Sequence, residues 1–177
     1  MTETKALRLA PIIGDIENLG RVSQVKLLPM APDDRTSPKG SRTWNYIYQA
    51  DAKAGEGRHM MALRVRGEQV GNHFHPRVTN KDPERFLLRD GWIEFWFEDL
   101  FGHKRVEPIH LDIRKNPPMV LIIPPYILHG IRVMGDVAIY DEIQTGPFNP
   151  EHNYDDKEFQ HLREHLVETG KIALERR

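Results

Sequence analysis

Two histidines one residue apart, His73 and His75, stand in the run GNHFHP, and a glutamate, Glu84, opens the next apolar run, PERFLL. A third histidine, His129, follows VLIIPPYIL much later in the chain. In extended backbone, residues two apart project to the same side, so His73 and His75 can address one point while Phe74 faces away. An antiparallel neighbour would bring the Glu84 carboxylate beside them. Three imidazoles and a carboxylate form a donor set suited to a divalent transition metal (Zn, Mn, Fe, Ni or Co), with positions left over for a bidentate substrate. The competing reading is that His73 and His75 sit at a hydrated strand end and do no chemistry.

Composition narrows the field. The 177 residues contain no cysteine, which excludes disulfide frameworks, thiolate nucleophiles and cysteine-based zinc or iron–sulfur sites, so a transition metal must be held by imidazole and carboxylate. With 25 Lys and Arg against 26 Asp and Glu, the chain has no global field to draw nucleic acid or an anionic bilayer, and neither is an expected partner. The opening MTETKALRLAPIIGDIENLG has no apolar core of signal-peptide length, and no apolar stretch long enough to span a bilayer follows, so the expectation is a soluble cytoplasmic protein.

The elements that must position these residues read as short strands. Residues 1–40 have the texture of an arm, rich in Pro, Ser, Asp and Gly in PMAPDDRTSPKGSR. From TWNYIYQAD onward come aromatic and β-branched runs: HMMALRVRG, RFLLRDG, WIEFWFED, RVEPIHLDI, MVLIIPP, ILHGIRVM and DVAIYDEI. Between them stand Gly67, Asp90-Gly91, Gly102, Pro117-Pro118, Pro124-Pro125 and Gly135 as turn signals, the pattern of a sandwich or barrel over 41–145. In GWIEFWFED, Ile93, Phe95 and Phe97 share a core-facing side. Trp92, Glu94, Trp96 and Glu98 share the other, which reads as a pocket wall, a subunit interface or a solvated face. In the tail, 150–177, Asp155 or Asp156 can cap an amphipathic helix whose Phe159, Leu162 and Leu166 lie three and four apart. His161 and His165 are one helical turn apart on it and read as solvated. One domain, 1–177, accounts for the whole.

Gly71, His73, His75, Glu84 and Gly91, followed by Pro125 and His129, resemble the two motifs of the cupin superfamily over residues 60–142. That resemblance implies an all-β double-stranded β-helix, a jelly-roll barrel, here with the N-terminal arm and C-terminal helix added. One departure stands out: eight residues separate His75 from Glu84, a longer loop than the common motif carries, which leaves Glu84 open as a ligand or as a general base beside a three-histidine site.

Finer likenesses point to carbohydrate chemistry. GNHFHP, PERFLL and IIPPYILHGIRVMGD are similar to cupin-type sugar-phosphate isomerases, while EDLFGHKRVEPIHLD and the YDE that ends the barrel resemble nucleotide-sugar ketoisomerases and epimerases. They imply a metal-dependent isomerase or epimerase on a sugar phosphate or nucleotide sugar, working through a metal-stabilised enediolate. Glu84 is then the expected base, with Tyr126 or Tyr140 as proton donor. Arg64, Arg66 and Arg132 are the expected substrate-anion contacts, with Arg77, Arg85 and Arg89 also on barrel segments. The same ligand set with iron would suit a dioxygenase, and a non-catalytic small-molecule-binding module is the remaining alternative. The arm and the Trp-bearing strand face together suggest a homodimer.

Overall fold

A computed structural model describes residues 19–29, 31–32, 44–45, 58–77, 83–112, 114–144 and 154–174. Most of the arm, and most of the run TWNYIYQAD, lie outside the described residues. The strands are β1 (Lys26–Pro29), β2 (Ala31–Pro32), β3 (Trp44–Asn45), β4 (Arg58–Val65), β5 (Gln69–Phe74), β6 (Glu84–Glu98), β7 (Lys104–Leu111), β8 (Met119–Ile123), β9 (Leu128–Gln144) and β10 (Tyr154–Asp155), and one α-helix follows, α1 (Asp156–Glu168). An eight-stranded sheet runs β1-β8-β6-β9-β5-β10, with β4 also on β9 and β7 also on β6, while β2 pairs with β3 alone. The pairings are antiparallel.

Two long strands make the barrel. The first part of β6 pairs with β8 and the last part of β9, while its second part pairs with β7 and the first part of β9. The sequence pattern divides β6 into RFLLRDG and WIEFWFED with Gly91 closing a hairpin, and divides β9 into ILHGIRVM and DVAIYDEI. The structure corrects this: β6 is one strand of 15 residues and β9 one of 17. A glycine after an aspartate marks positive φ equally well in a turn and in a bulge, and Gly91, at φ 108°, sits where the β6–β9 register shifts. The shift resets the alternation. Phe86 and Leu88 before it, and Ile93, Phe95 and Phe97 after it, all enter one inner core with Leu121, Ile123, Ile131, Val133 and Tyr140. Arg89, inside the shifted stretch, reaches the buried Asp141 of β9 at 2.5 Å.

A second apolar cluster lies outside the barrel. Asp155 caps α1 in a reciprocal box with Glu158, each side chain taking the other's backbone N–H at 2.8 Å. Phe159, Leu162 and Leu166 are fully buried against Phe74, Leu100, Tyr126, Leu128 and Tyr154, with Trp96 at the margin. Each such burial is worth about 1.5–3 kcal/mol. The second face of β6 is therefore mixed. Trp92 is 44% exposed, Trp96 is half-covered, and Glu98 is buried in contact with Arg163 of α1 at 2.6 Å. From the arm, Val22 and Val25 close the inner core. No helix among the described residues is long and apolar enough to cross a membrane.

Gly91 and Gly67 separate conformational strain from steric exclusion. A Cβ at Gly91 would meet the Val137 carbonyl oxygen at 2.4 Å and Ala138 Cα at 2.7 Å, whereas one at Gly67, also at positive φ, meets nothing within 4 Å. Gly67→Ala is expected to lose about 1–2 kcal/mol, the left-handed penalty alone. Gly91→Ala is expected to lose at least 1 kcal/mol more. Urea unfolding of the two variants against wild type measures the difference.

Candidate metal centre

The barrel end where β5 and β8 finish and β6 and β9 begin gathers the four residues. His73 lies opposite His129 across the β5–β9 ladder, and Glu84 lies opposite Ile123. The ring centroids of His73 are 4.7 Å from His75 and 4.8 Å from His129, and those of His75 and His129 are 5.9 Å apart. Glu84 Oε2 stands 2.9 Å from His129 Nε2 and 3.4 Å from His75 Nε2. One donor atom from each of His73, His75, Glu84 and His129 can be chosen so that all lie within 4.8 Å of one another. Since His75, Glu84 and His129 are at most 4% exposed and His73 is half-buried, the hydrated strand end is not what the structure contains.

Local structure fixes the ring orientations. His129 Nδ1–H donates to the Ile127 carbonyl at 2.9 Å, which leaves Nε2 as the atom turned to Glu84. His75 is held through its own carbonyl, which accepts the Tyr126 N–H at 2.8 Å. Burial alone would push the Glu84 carboxyl up, but the His75 and His129 rings beside it, by charge and hydrogen bond, hold it well below its ordinary range. Three imidazoles and a carboxylate, convergent and largely buried, are the donor set a divalent transition ion takes, so these residues fit such an ion.

No protein-family profile matches this chain, and no curated protein does. Solved structures do share its shape. A 3,4-ketoisomerase from Helicobacter canadensis matches with TM-score 0.58 at 14% identity, over 80% of this chain and 98% of that one. QdtA, a sugar 3,4-ketoisomerase from Thermoanaerobacterium thermosaccharolyticum solved with TDP, matches with TM-score 0.58 at 10% identity, over 82% and 99%. ChmJ, a 3'-monoepimerase from Streptomyces bikiniensis solved with dTDP-quinovose, matches with TM-score 0.56 at 12% identity, over 74% and 68%. The fold is that of the cupins.

Within this cupin barrel the other expected site residues divide. Tyr126 does not join the histidine–glutamate cluster. It is fully buried in the outer apolar cluster with Phe74 and α1, because its backbone, at φ 62°, turns the side chain to the helix side. Tyr140 is in the inner core opposite Leu88, four residues along β6 from Glu84, which is roughly 13 Å of strand. Its hydroxyl accepts from Arg64 Nε at 3.4 Å, and burial raises its pKa against the lowering effect of that guanidinium. Arg64 and Tyr140 therefore meet each other, away from the histidines. Arg66 lies past the end of β4 in an exposed ion pair with Asp136 at 2.8 Å, and Arg132 pairs with Glu94 at 3.7 Å on the outer face. The structure brings neither arginine to the cluster: alternation places Ile131 and Val133 inward, and Arg132 between them outward.

Two further residues escaped the sequence reading. Asp99, wholly buried, accepts the backbone N–H groups of Val22, Phe101 and His103 and contacts the His103 ring at 3.0 Å, which ties the arm to the β6–β7 turn. The Asp-Leu-Phe-Gly order is a turn signature that could have flagged it. The other is Asn72, at φ 65° beside His73; the Gly71-Asn72 pair is the signal that could have found it, since asparagine is favoured over most side chains in left-handed backbone.

The carboxyl's low folded pKa has a testable sign. A depressed carboxyl contributes stability that is complete above its ordinary value and is lost as pH falls through the folded one. In metal-free protein, the stability gap between wild type and Glu84→Gln, read by urea unfolding, is expected to be widest above pH 4.5 and to narrow below it. A gap that does not change with pH would show that the carboxylate is not held by its histidines.

Proposed function

We propose that this chain is a metal-dependent cupin enzyme, an isomerase or epimerase acting on a nucleotide-linked sugar or a sugar phosphate. The convergence of His73, His75, Glu84 and His129 in one buried cluster carries the reading. The shape shared with two ketoisomerases and an epimerase, one holding TDP and one holding dTDP-quinovose, supports the substrate class.

A divalent transition ion held by His73, His75 and His129, with Glu84 as ligand or neighbour, would supply Lewis-acid polarisation of a carbonyl and its adjacent hydroxyl. The chain supplies the rest. Glu84, kept ionised by two imidazoles, is the base for the proton α to the carbonyl. Ile123, opposite Glu84 in β8, and Phe86, two residues on from it in β6, carry the inward face beside Glu84 into the apolar core. His73 is the least buried of the four and marks the side from which a substrate reaches them.

Elemental analysis of purified wild type, His73→Ala and His129→Ala tests the ligand set: near-stoichiometric transition metal is expected in wild type and its loss in both variants. Stoichiometric metal in both would overturn the assignment. With metal present, sugar phosphates and dTDP-linked ketohexoses assayed for deuterium uptake from solvent are expected to exchange, and Glu84→Gln to slow exchange by roughly 100- to 10,000-fold. Oxygen consumption without exchange would give the dioxygenase instead.

Assembly as a homodimer is proposed on separate grounds. Met61, Leu63 and Val65, which alternate along one face of β4, are 69%, 63% and 48% exposed, and Trp92 is 44% exposed. Apolar surface of that kind is normally covered. Sedimentation at micromolar concentration is expected to give a dimer, and a monomer alone would refute it.

A further inference from the structure

Strand alternation in β5 runs against the placement of its histidines. Val70 packs on the inner core, so a regular period of two would send Asn72 and Phe74 inward and His73 and His75 outward. The structure has the reverse. Phe74 is fully buried in the outer cluster, its ring 5.3 Å from those of Tyr154 and Phe159, while His73 and His75 join His129 in the barrel.

The ladder to β9 identifies the cause. Val70 pairs with Ile131, Gly71 with Gly130, and His73 with His129, so the inward pair is three residues apart on β5 and two on β9. Asn72 is the extra residue, and it lies at φ 65° directly after Gly71 at φ 95°. The fit is tight, since a Cβ on Gly71 would meet Gly130 Cα at 2.7 Å. Among the described residues, two that are not glycine have positive φ, Asn72 and Tyr126, and both abut the ligand strand, Tyr126 through the N–H it gives to the His75 carbonyl. Asparagine enters this conformation more readily than other side chains do.

We propose that Asn72 is a positioning residue whose left-handed backbone forms a bulge that reverses β5 and turns His73 and His75 into the barrel. The bulge, not the amide group, carries the effect. Only its consequence for metal affinity rests on the metal-dependent reading above, because the convergence of the rings is measurable without an ion.

Asn72→Gly keeps the left-handed conformation and removes the amide, while Asn72→Val keeps bulk and disfavours that conformation. In metal-free protein, nuclear Overhauser contacts between the His73 and His129 rings, whose centroids lie 4.8 Å apart, are expected in wild type and Asn72→Gly and are expected to vanish in Asn72→Val. Cobalt(II) titration, followed by its visible absorption, is expected to give affinity within a few-fold of wild type for the glycine variant and about 10- to 100-fold weaker for the valine variant. If Asn72→Val fails to fold, Asn72→Ala imposes the same backbone preference with less bulk and takes its place. Intact ring contacts in a folded valine or alanine variant would overturn the proposal, as would their loss in Asn72→Gly. Wild type that keeps the ring contacts but binds no cobalt would refute the metal reading and leave the bulge standing.

Discussion

A strand that lines one cavity with both of its halves must change, somewhere along its length, which parity of residue faces inward. Without that reset, β6 would bury Glu84, Phe86 and Leu88 and then expose Ile93, Phe95 and Phe97, and the barrel would lack one wall. The register shifts around Arg89–Gly91 supply the reset. In β9, Ile131 and Val133 point inward before Gly135, and Ala138 and Tyr140 after it, an odd step that does the same. In β5 the step falls between Val70 and His73. The apolar core and the histidine cluster are both products of where these odd steps fall.

The site adds an electrostatic condition to the topological one. An ionised carboxylate at 2% exposure is strongly unfavourable unless it is paired, and Glu84 finds two imidazoles within 3.4 Å. His129 is one of them, and the bond from its Nδ1–H to the Ile127 carbonyl sets the ring's orientation, with Nε2 toward Glu84. Folding therefore assembles this polar cluster beside the apolar core, where Ile123 lies opposite Glu84 and a misaligned ring would leave a buried charge without a partner. That penalty favours a single arrangement of the four side chains.

The cluster of His73, His75, Glu84 and His129 was legible from the sequence because such a convergence leaves a spacing: two histidines two apart, a carboxylate at the next strand start, a histidine after a Pro turn. The helix was legible from its cap and its three- and four-residue intervals. Side-chain direction beyond those short windows was not. Arg132 and Tyr126 sit three residues either side of His129, yet one faces solvent and the other α1, because alternation fixes direction only relative to the last bulge and Tyr126 follows a Pro-Pro turn. Gly91 misled for a related reason: positive φ is the same local demand whether the chain reverses or continues. Arg64 lies on the strand expected of it, but its partner Tyr140 comes from a strand far away in sequence, which no local pattern reports.

The helix takes part in the site through the residues between the ligands. Phe74 sits between His73 and His75, Leu128 immediately precedes His129, and Tyr126 bonds to the His75 carbonyl, and all three side chains pack against α1 and Tyr154. Alternation makes this automatic: if the histidines face inward, their chain neighbours face outward and need cover. α1 gives that cover, anchored at one end by the Asp155–Glu158 box and along its length by Arg163, which contacts Glu98 at 2.6 Å and the Asp99 carbonyl at 2.6 Å. The outer cluster thus presses on the backs of the strands whose fronts carry the imidazoles, and loosening it would free the rings to rotate without touching any of them.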